Sequence, residues 1–558
     1  MKQKIKKAVS VFVTLLLLLL LPVQAFAQEY DLANGTVSVT ARNNEQYVSQ
    51  GSSIDEKQTS ETVITGSSNP NTITIEAEAG QTANVTLKDV NIDCSGIYGS
   101  AALITSGDGD VNIELDGNNM LASGTDCAGL NKNNAGSLTI SDDDNNGSLE
   151  ATGGRSGAGI GGGYSGDGNN ITITGGTVTA NGGSFGAGIG GGQNGDGNNI
   201  TITGGTVMAN GGNIAAGIGG GQNGDGNNIT ITGGEVTANG GSFGAGIGGG
   251  RYGDGSNIEI SGGTVTANGG LAGAGIGGGY SDYNVPGGEG SNITISGGTV
   301  TANGGNTGAG IGGGYYGDGS NINITGGLVT GTGGDGGAAI GGGQSGAGNN
   351  IIINSGMVTA IGGDCGAGIG GGSQGNGSNV TVSGNSQVRV QGGKSYGYNG
   401  TGAGIGNGGY NDGNGNPING EEIVPDTLEL LADGWIKYYA PGENMNGNEP
   451  EPKPYNAPAA DSAYKIGDKV VLNGIEWIIV GIKGDVLELA SVKAFTEEQL
   501  KDLEVLIKTL LTNAQLEKLV ADKTTGERVL LADENIAKEY FGGEAGHIVI
   551  RADKSILG

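Results

Sequence analysis

Ile171-Thr172-Ile173-Thr174, then Gly175-Gly176, then Thr177-Val178-Thr179-Ala180, and shortly afterwards Gly186-Ala187-Gly188-Ile189-Gly190: this short stretch decides the fold. Apolar and polar residues alternate with a period of two, which is the pattern of a strand with one buried face. β-Branched residues dominate the first two runs, and glycine pairs break them at corners. A helix is excluded by the glycine load, since each glycine costs about 1 kcal/mol relative to alanine in a helix interior.

The stretch repeats. The isoleucine of GAGIGGG, or of a near copy, falls at Ile160, Ile189, Ile218, Ile247, Ile276, Ile311, Ile340, Ile369 and Ile405. The spacing is 29 residues except for one step of 35, which carries an insert around Ser281–Glu289, and one of 36, around Gly392–Gly400. Three short strands and three corners in 29 residues make one coil of a β-solenoid. A single coil cannot bury its apolar side, but stacked coils can. Ile171, Ile173, Val178 and Ile189 are expected to point inward, with their copies stacked at the strand spacing of about 4.8 Å. Asparagine recurs at Asn170, Asn199, Asn228, Asn257, Asn292, Asn321, Asn350 and Asn379. It tolerates positive φ and its amide can bond its neighbours, so an inward asparagine ladder at a corner is expected. Residues 28–150 alternate less regularly and read as further coils. Cys94 and Cys127, about one coil apart, are read either as a disulfide or as two small buried residues.

Composition narrows the function. Glycine supplies 124 of 558 residues, roughly three times the usual share. The period is not three and there are only 10 prolines, so the chain is not collagen. The formal charge of −30 argues against nucleic acid as a partner. One histidine, His547, leaves no room for a histidine-based zinc site or a Ser/His/Asp arrangement in the repeats. Lys2, Lys4, Lys6 and Lys7, the apolar run Ala8–Leu21 and Ala25-Phe26-Ala27 read as a signal peptide over 1–27. A secreted protein with no transmembrane segment in the mature chain is expected, associated with the cell surface or free, and monomeric.

Asn84-Val85-Thr86-Leu87-Lys88-Asp89-Val90-Asn91-Ile92, Cys127-Ala128-Gly129-Leu130 and Gly147-Ser148-Leu149-Glu150-Ala151-Thr152-Gly153-Gly154, followed by GAGIGGG, carry a resemblance. They resemble secreted bacterial proteins described as carbohydrate-binding-domain or glycine-rich β-strand-repeat proteins. The resemblance covers roughly residues 60–410. It implies a right-handed parallel β-helix similar to pectate lyases, polysaccharide contact outside the cell, and calcium as a cofactor.

The composition changes after about residue 415. Residues 151–415 form the regular repeats, and 416–461 a strand-like tail with a Pro- and charge-rich linker around Pro450, Pro452, Pro454 and Pro458. Residues 462–558 read as a small α+β domain. Lys469–Leu472, Trp477–Ile482 and Val486–Leu489 are its expected strands, and a helix starts at the capping box Thr496-Glu497-Glu498-Gln499. Glu476–Val480 and Val529–Phe541 resemble a bacterial extracytoplasmic module of unknown function, without that module's usual Trp- and Arg-containing middle.

The residues bear on four chemistries. Catalysis lacks residues: Arg155, Arg251, Arg389 and Lys394 are the only basic groups between 151 and 410, and they form no motif. The paired carboxylates Asp335 and Asp364 share a column, as stacked acids on a solvated edge would. The expectation is not an enzyme, with a degenerate polysaccharide lyase as an alternative. A metal column is formed by Asp167, Asp196, Asp225, Asp254 and Asp318. Stacked carboxylates invite calcium, but Asp-Gly is also ordinary turn chemistry, and Ala347 breaks the column. A carbohydrate line is formed by Tyr164, Gln193, Gln222, Arg251, Tyr280, Tyr315 and Gln344, each four residues after a repeat isoleucine, with Ser373 next. Phe185, Ile214 and Phe243 form a second line. Threonine ranks such as Thr172, Thr201 and Thr230 suit either an ice-binding face or ordinary outward strand sites. The resulting expectation is a non-catalytic binder of extracellular polysaccharide, with a spacer or adhesin stalk lacking a glycan ligand as the alternative.

Overall fold

The computed structural model describes residues 28–53, 56–58, 62–285, 288–397, 399–426, 430–431, 434–443, 469–472, 475–483, 486–491, 529–531 and 548–553. The expected signal peptide over 1–27, the proline-rich linker, the helix expected from Thr496 and His547 lie outside the described residues. The chain is an all-β parallel β-solenoid. A 3-10 turn at Leu32–Asn34 is the one helical element among the described residues. Two compact units divide the chain at Ala267/Asn268.

In the first unit each regular coil contributes three strands. Ile171–Ile173, Thr177–Asn181 and Ile189–Gly190 are one set. Each strand pairs in parallel with its copy 29 residues on: Ile171 with Ile200, Val178 with Val207, Ile189 with Ile218. Ile171, Ile173, Val178, Ala180 and Ile189 have no exposed surface, so the expected inward set is the core. Burying one such isoleucine or valine is worth about 1.5–3 kcal/mol, and stacking repeats that gain in every coil.

The glycines in and just before the third strand answer to close approach between coils. Gly190 has φ +131°, and a Cβ on it would lie 2.1 Å from the carbonyl oxygen of Gly219 in the next coil. A Cβ on Gly212 would lie 1.7 Å from the carbonyl oxygen of Gly183. No larger residue fits where one coil's backbone rests on another's.

The irregular coils before residue 150 join the same stacks. Val37–Arg42, Ile73–Ala77, Leu103–Gly107 and Leu130–Lys132 pair in parallel along one side. Thr82–Asp93, Asp110–Asp116 and Leu138–Ser141 pair along another. The first coil carries an addition. Val37–Arg42 turns back antiparallel into Glu45–Gln50, which pairs with Glu56–Lys57. Asn43 and Asn44 make the turn at φ 53° and 60°, the double positive φ that a two-residue hairpin needs.

The asparagine column departs from expectation. Asn199, Asn228 and Asn257 are exposed, not inward, at φ 53–55°. The ladder does form: Asn199 Nδ2 donates to Asn170 Oδ1 at 3.0 Å. The left-handed corner turns the side chain outward, where water serves the amide groups the ladder leaves over. A deeper, half-buried ladder runs along Asn181, Asn210 and Asn239, with 2.9 and 2.8 Å steps. Cys94 and Cys127 are free thiols.

The second unit repeats the coil. Ile276, Ile311, Ile340, Ile369 and Ile405 stack in register. Asn321 donates to Asn292 and Asn350 to Asn321, again on the exposed side. After the repeats, Trp435–Tyr439 adds a parallel strand beside Gln387–Gln391. In the C-terminal module, Lys469–Leu472, Ile475–Lys483, Val486–Ser491, Ile548–Asp553 and Val529–Leu531 form a five-stranded sheet whose pairs are antiparallel. The three expected strands are among them, and Trp477 is fully buried.

Candidate functional site

The residue four after each isoleucine sits just past the third strand, where the chain leaves the GAGIGGG corner. In the first unit this position is tied to the preceding coil by its backbone. Gln193 N–H donates to Ser156 O, Gln222 to Phe185 O and Arg251 to Ile214 O, at 2.7, 2.9 and 3.0 Å. The two lines read separately in the sequence are therefore one strip. Phe185 and Ile214 lie in the coil below Gln222 and Arg251, respectively.

The side chains of that strip engage each other. Gln193 Nε2 donates to Gln222 Oε1 at 3.2 Å. The Arg251 guanidinium lies 5.4 Å from the Phe243 ring centre and 4.5 Å from that of Tyr252, and Nη2 donates to the Tyr252 hydroxyl at 2.7 Å. Arg155 lies 4.9 Å from the Phe185 ring centre. Tyr164 begins the strip and is 56% exposed, with no described aromatic neighbour.

In the second unit the same position holds Tyr280, Tyr315 and Gln344. Tyr315 N–H donates to Ala272 O at 2.9 Å and Gln344 N–H to Thr307 O at 2.8 Å. Small residues thus occupy the flank that carries phenylalanine in the first unit. The Tyr280 and Tyr315 rings stack at 5.7 Å and 24°. Tyr316, at φ 62°, sets its ring 4.2 Å from that of Tyr315, and Tyr283 from the insert meets Tyr316 edge-on at 5.9 Å. Four tyrosines therefore form one ledge, of which the sequence reading had two. Hydrogen bonding to Tyr316, then burial, pushes the Tyr315 phenol up to about 12. Ser373, next in line, is buried.

The aspartate column has a backbone partner at each step. Asp196 N–H donates to Asp167 Oδ1, Asp225 N–H to Asp196 Oδ1 and Asp254 N–H to Asp225 Oδ1, at 2.9, 2.8 and 2.8 Å. In the second unit Asp318 Oδ1 accepts from Ala347 N at 2.7 Å. Alanine can follow an aspartate because only its N–H is needed. Burial raises the Asp196 and Asp225 carboxyls, against the pull of the backbone bonds. The carboxylates also accept from the side-chain amides two residues on, Asn169 at Asp167, Asn198 at Asp196 and Asn227 at Asp225, so a cation here would compete with those amides.

Among the described residues, three acids come within ligating reach of one another only at Glu114, Asp142 and Asp144. Their oxygens already accept from Ser141 and Asp143, from Asn146 and Gly147, and from Asn146 Nδ2, respectively. The sequence reading had not singled out this trio, which comes from coils outside the clean repeat.

Seven segments match the Beta helix repeat family model: 145–164, 171–193, 200–222, 229–251, 258–280, 293–315 and 351–373. Each ends on the position that carries Tyr164, Gln193, Gln222, Arg251, Tyr280, Tyr315 or Ser373. These segments are similar to that family's repeat, in agreement with the parallel β-solenoid that the structure shows. No curated protein and no solved structure is significantly similar to it. Among the described residues no helix is long and apolar enough to cross a membrane.

Proposed function

We propose that this β-solenoid is a secreted, non-catalytic binder of extracellular polysaccharide, with the second unit's tyrosine ledge as its main contact. The observation that carries the reading is the Tyr280–Tyr315 stack with Tyr316 and Tyr283 around it. Aromatic faces bury large area at low entropic cost, and phenol hydroxyls bond polar partners at the same time. A sugar ring offers both an apolar face and hydroxyls. Calcium on the aspartate carboxylates, in place of the asparagine amides that bond them, would bridge acidic sugars to a negatively charged protein. Lyase or hydrolase chemistry finds little support: Arg155, Arg251 and Arg389 each lie against an aromatic ring.

The alternative is a rigid spacer with no glycan ligand. The internal bond between Gln193 and Gln222 favours it, because an amide satisfied by its neighbour offers less to a sugar. Retention of the full chain on a panel of insoluble and soluble polysaccharides, with calcium and with chelator, separates the readings. Binding to one polymer that disappears in the Tyr280→Ala/Tyr315→Ala variant supports the ledge. Absence of binding to every polymer would sink it in favour of the spacer.

A further inference from the structure

The first unit contains a second site of different make. Beside the added N-terminal hairpin lies a cleft of about 500 Å³, within the size range of small-molecule sites. Its floor is the outward face of three consecutive strands. Asn84 pairs in register with Asn112, Asn112 with Thr139, and Thr86 with Glu114. Gln46 and Gln58, from the hairpin side, form its wall.

The floor changes character where the wall stands. Further along the same stack the row that starts Asn84, Asn112, Thr139 continues as Thr172, Thr201 and Thr230. Opposite the hairpin it carries amides, and the adjacent row carries Glu114. The wall itself is fixed. Gln46 Oε1 accepts from Asn84 N–H at 2.8 Å, and its Nε2 donates to Thr62 Oγ1 and Asn84 O at 2.7 and 2.9 Å.

Gln58 supplies an independent sign of a ligand. It is 9% exposed. Its Nε2 donates to the Tyr30 hydroxyl at 2.6 Å and to Glu56 O at 2.9 Å. A backbone carbonyl can only accept, so the amide nitrogen must face Glu56 and the orientation is set. That leaves Gln58 Oε1 buried and without a hydrogen-bond partner, on a residue that lines the cleft. Buried acceptors are seldom left unmet in folded proteins. On the floor, Asn112 Nδ2 donates to Asn84 Oδ1 at 2.9 Å, which leaves the Asn84 amide nitrogen directed to other partners.

We propose that this cleft binds a neutral saccharide. Hydroxyls of a sugar would donate to Gln58 Oε1 and to Glu114, and accept from the Asn84 amide. Among the described residues no lysine or arginine lines the cleft, while Glu114 and Asp143 do. Phosphate and sugar acids are therefore disfavoured. No aromatic ring lines it either, so a nucleobase or an apolar ligand has nothing to stack on. The site shares its ligand class with the proposed function but not its residues. It distinguishes recognition of a neutral chain by hydrogen bonding from contact with the tyrosine ledge by stacking.

The test is calorimetric titration of the full chain with neutral gluco-, xylo-, manno- and galacto-oligosaccharides, and with oligogalacturonate as the charged counterpart. The expected result is binding of at least one neutral oligomer and not of oligogalacturonate. Gln58→Leu and Asn112→Leu should each weaken it about ten-fold or more, and should do so equally in the Tyr280→Ala/Tyr315→Ala background, where the ledge no longer contributes. Asn112→Leu lies on the outward face, away from the hairpin's anchoring bonds, so it reports on binding even where Gln58→Leu disturbs the wall. No binding of any neutral oligomer, or binding that survives both leucine variants, overturns the proposal. Binding lost only in the tyrosine variant also overturns it, while leaving the polysaccharide-binding reading in place.

Discussion

The Asp196 carboxylate accepts the backbone N–H of Asp225, the residue that holds its own position one coil later, at 2.8 Å. One side chain thus ties successive coils together outside the strand ladder. The same relation joins Asp167 to Asp196 and Asp225 to Asp254. It gives the aspartate column a structural role whether or not a cation binds there.

A pH dependence follows from that geometry. Burial holds the Asp196 and Asp225 carboxyls above the usual aspartate value in the folded chain. The folded state then holds protons that the unfolded chain has already released, so stability rises as the pH falls from the folded pKa toward the ordinary one. It is lost again as the pH rises through the folded pKa. Asp225→Asn keeps an oxygen for Asp254 N–H and removes the charge. It should flatten the acidic slope of melting temperature against pH and melt no lower at neutral pH. Asp225→Ala should cost about 1 kcal/mol for the lost bond. Thermal melts across the acidic range check both.

Chelation gives a further separation. With calcium on the carboxylates in place of the asparagine amides, the melting temperature should rise with added calcium and fall in chelator, and Asp196→Asn/Asp225→Asn should abolish the difference. Identical melts under both conditions would leave the column with its backbone bonds alone.

The glycine corner predicts an extreme case. Gly190→Ala would put a methyl 2.1 Å from Gly219 O at φ +131°, where the nearest atoms are all Gly219 backbone and no flexible side chain can yield. A loss of about 3 kcal/mol or more is expected, with failure of the first unit to melt cooperatively. Gly96→Ala, where a Cβ meets nothing within 4 Å, is the control and should be near neutral. Circular dichroism melts of the two variants decide it.

The coil was legible because its period of two and its period of 29 agree. Ile171, Ile173, Val178 and Ile189 could be assigned to the core before any coordinate. The asparagine column was misread because its regularity suggested burial. Buried amides must satisfy every donor and acceptor, whereas a left-handed corner places Asn199 and Asn228 in water at no such cost. The single strip of Phe185 with Gln222 was hidden because the contact spans one coil plus a corner, which no repeat table displays. The cleft was hidden more thoroughly. Gln46 reaches Asn84 across 38 residues of irregular sequence, and the only local signal was Asn43-Asn44 between alternating runs.

The tyrosine ledge makes a spectroscopic prediction. Tyr315 is held up to about 12 first by its hydrogen bond with Tyr316. Tyr316→Phe removes that partner while keeping the ring at its place in the ledge. The Tyr315 phenol should then titrate nearer its ordinary value of about 10. Ultraviolet titration of tyrosinate in the two proteins checks this. An unchanged curve would mean that burial, not Tyr316, sets the value.

The end of the second unit's repeats shows how the solenoid stops, and it can be tested. In the preceding coil Gly368 N–H donates to Ala403 O and Ile369 N–H to Gly404 O, so each coil's third strand relies on carbonyls of the coil that follows. For Gly404 and Ile405 the Glu422 carboxylate takes over. It accepts from both N–H groups, the Ile405 bond being 3.0 Å. One side chain replaces two backbone carbonyls and closes an edge that would otherwise stay open to pairing with another chain. Glu422→Ala should leave both donors without that partner and cost about 1–3 kcal/mol, because Glu422 keeps an exposed flank through which water can partly compensate. Glu422→Gln retains one oxygen and should fall between the two. Amide exchange should accelerate first at Gly404 and Ile405, ahead of Gly368 and Ile369, and the alanine variant should self-associate more readily at high concentration. Equal protection of all four amides in the variant would show that the cap does not hold the edge.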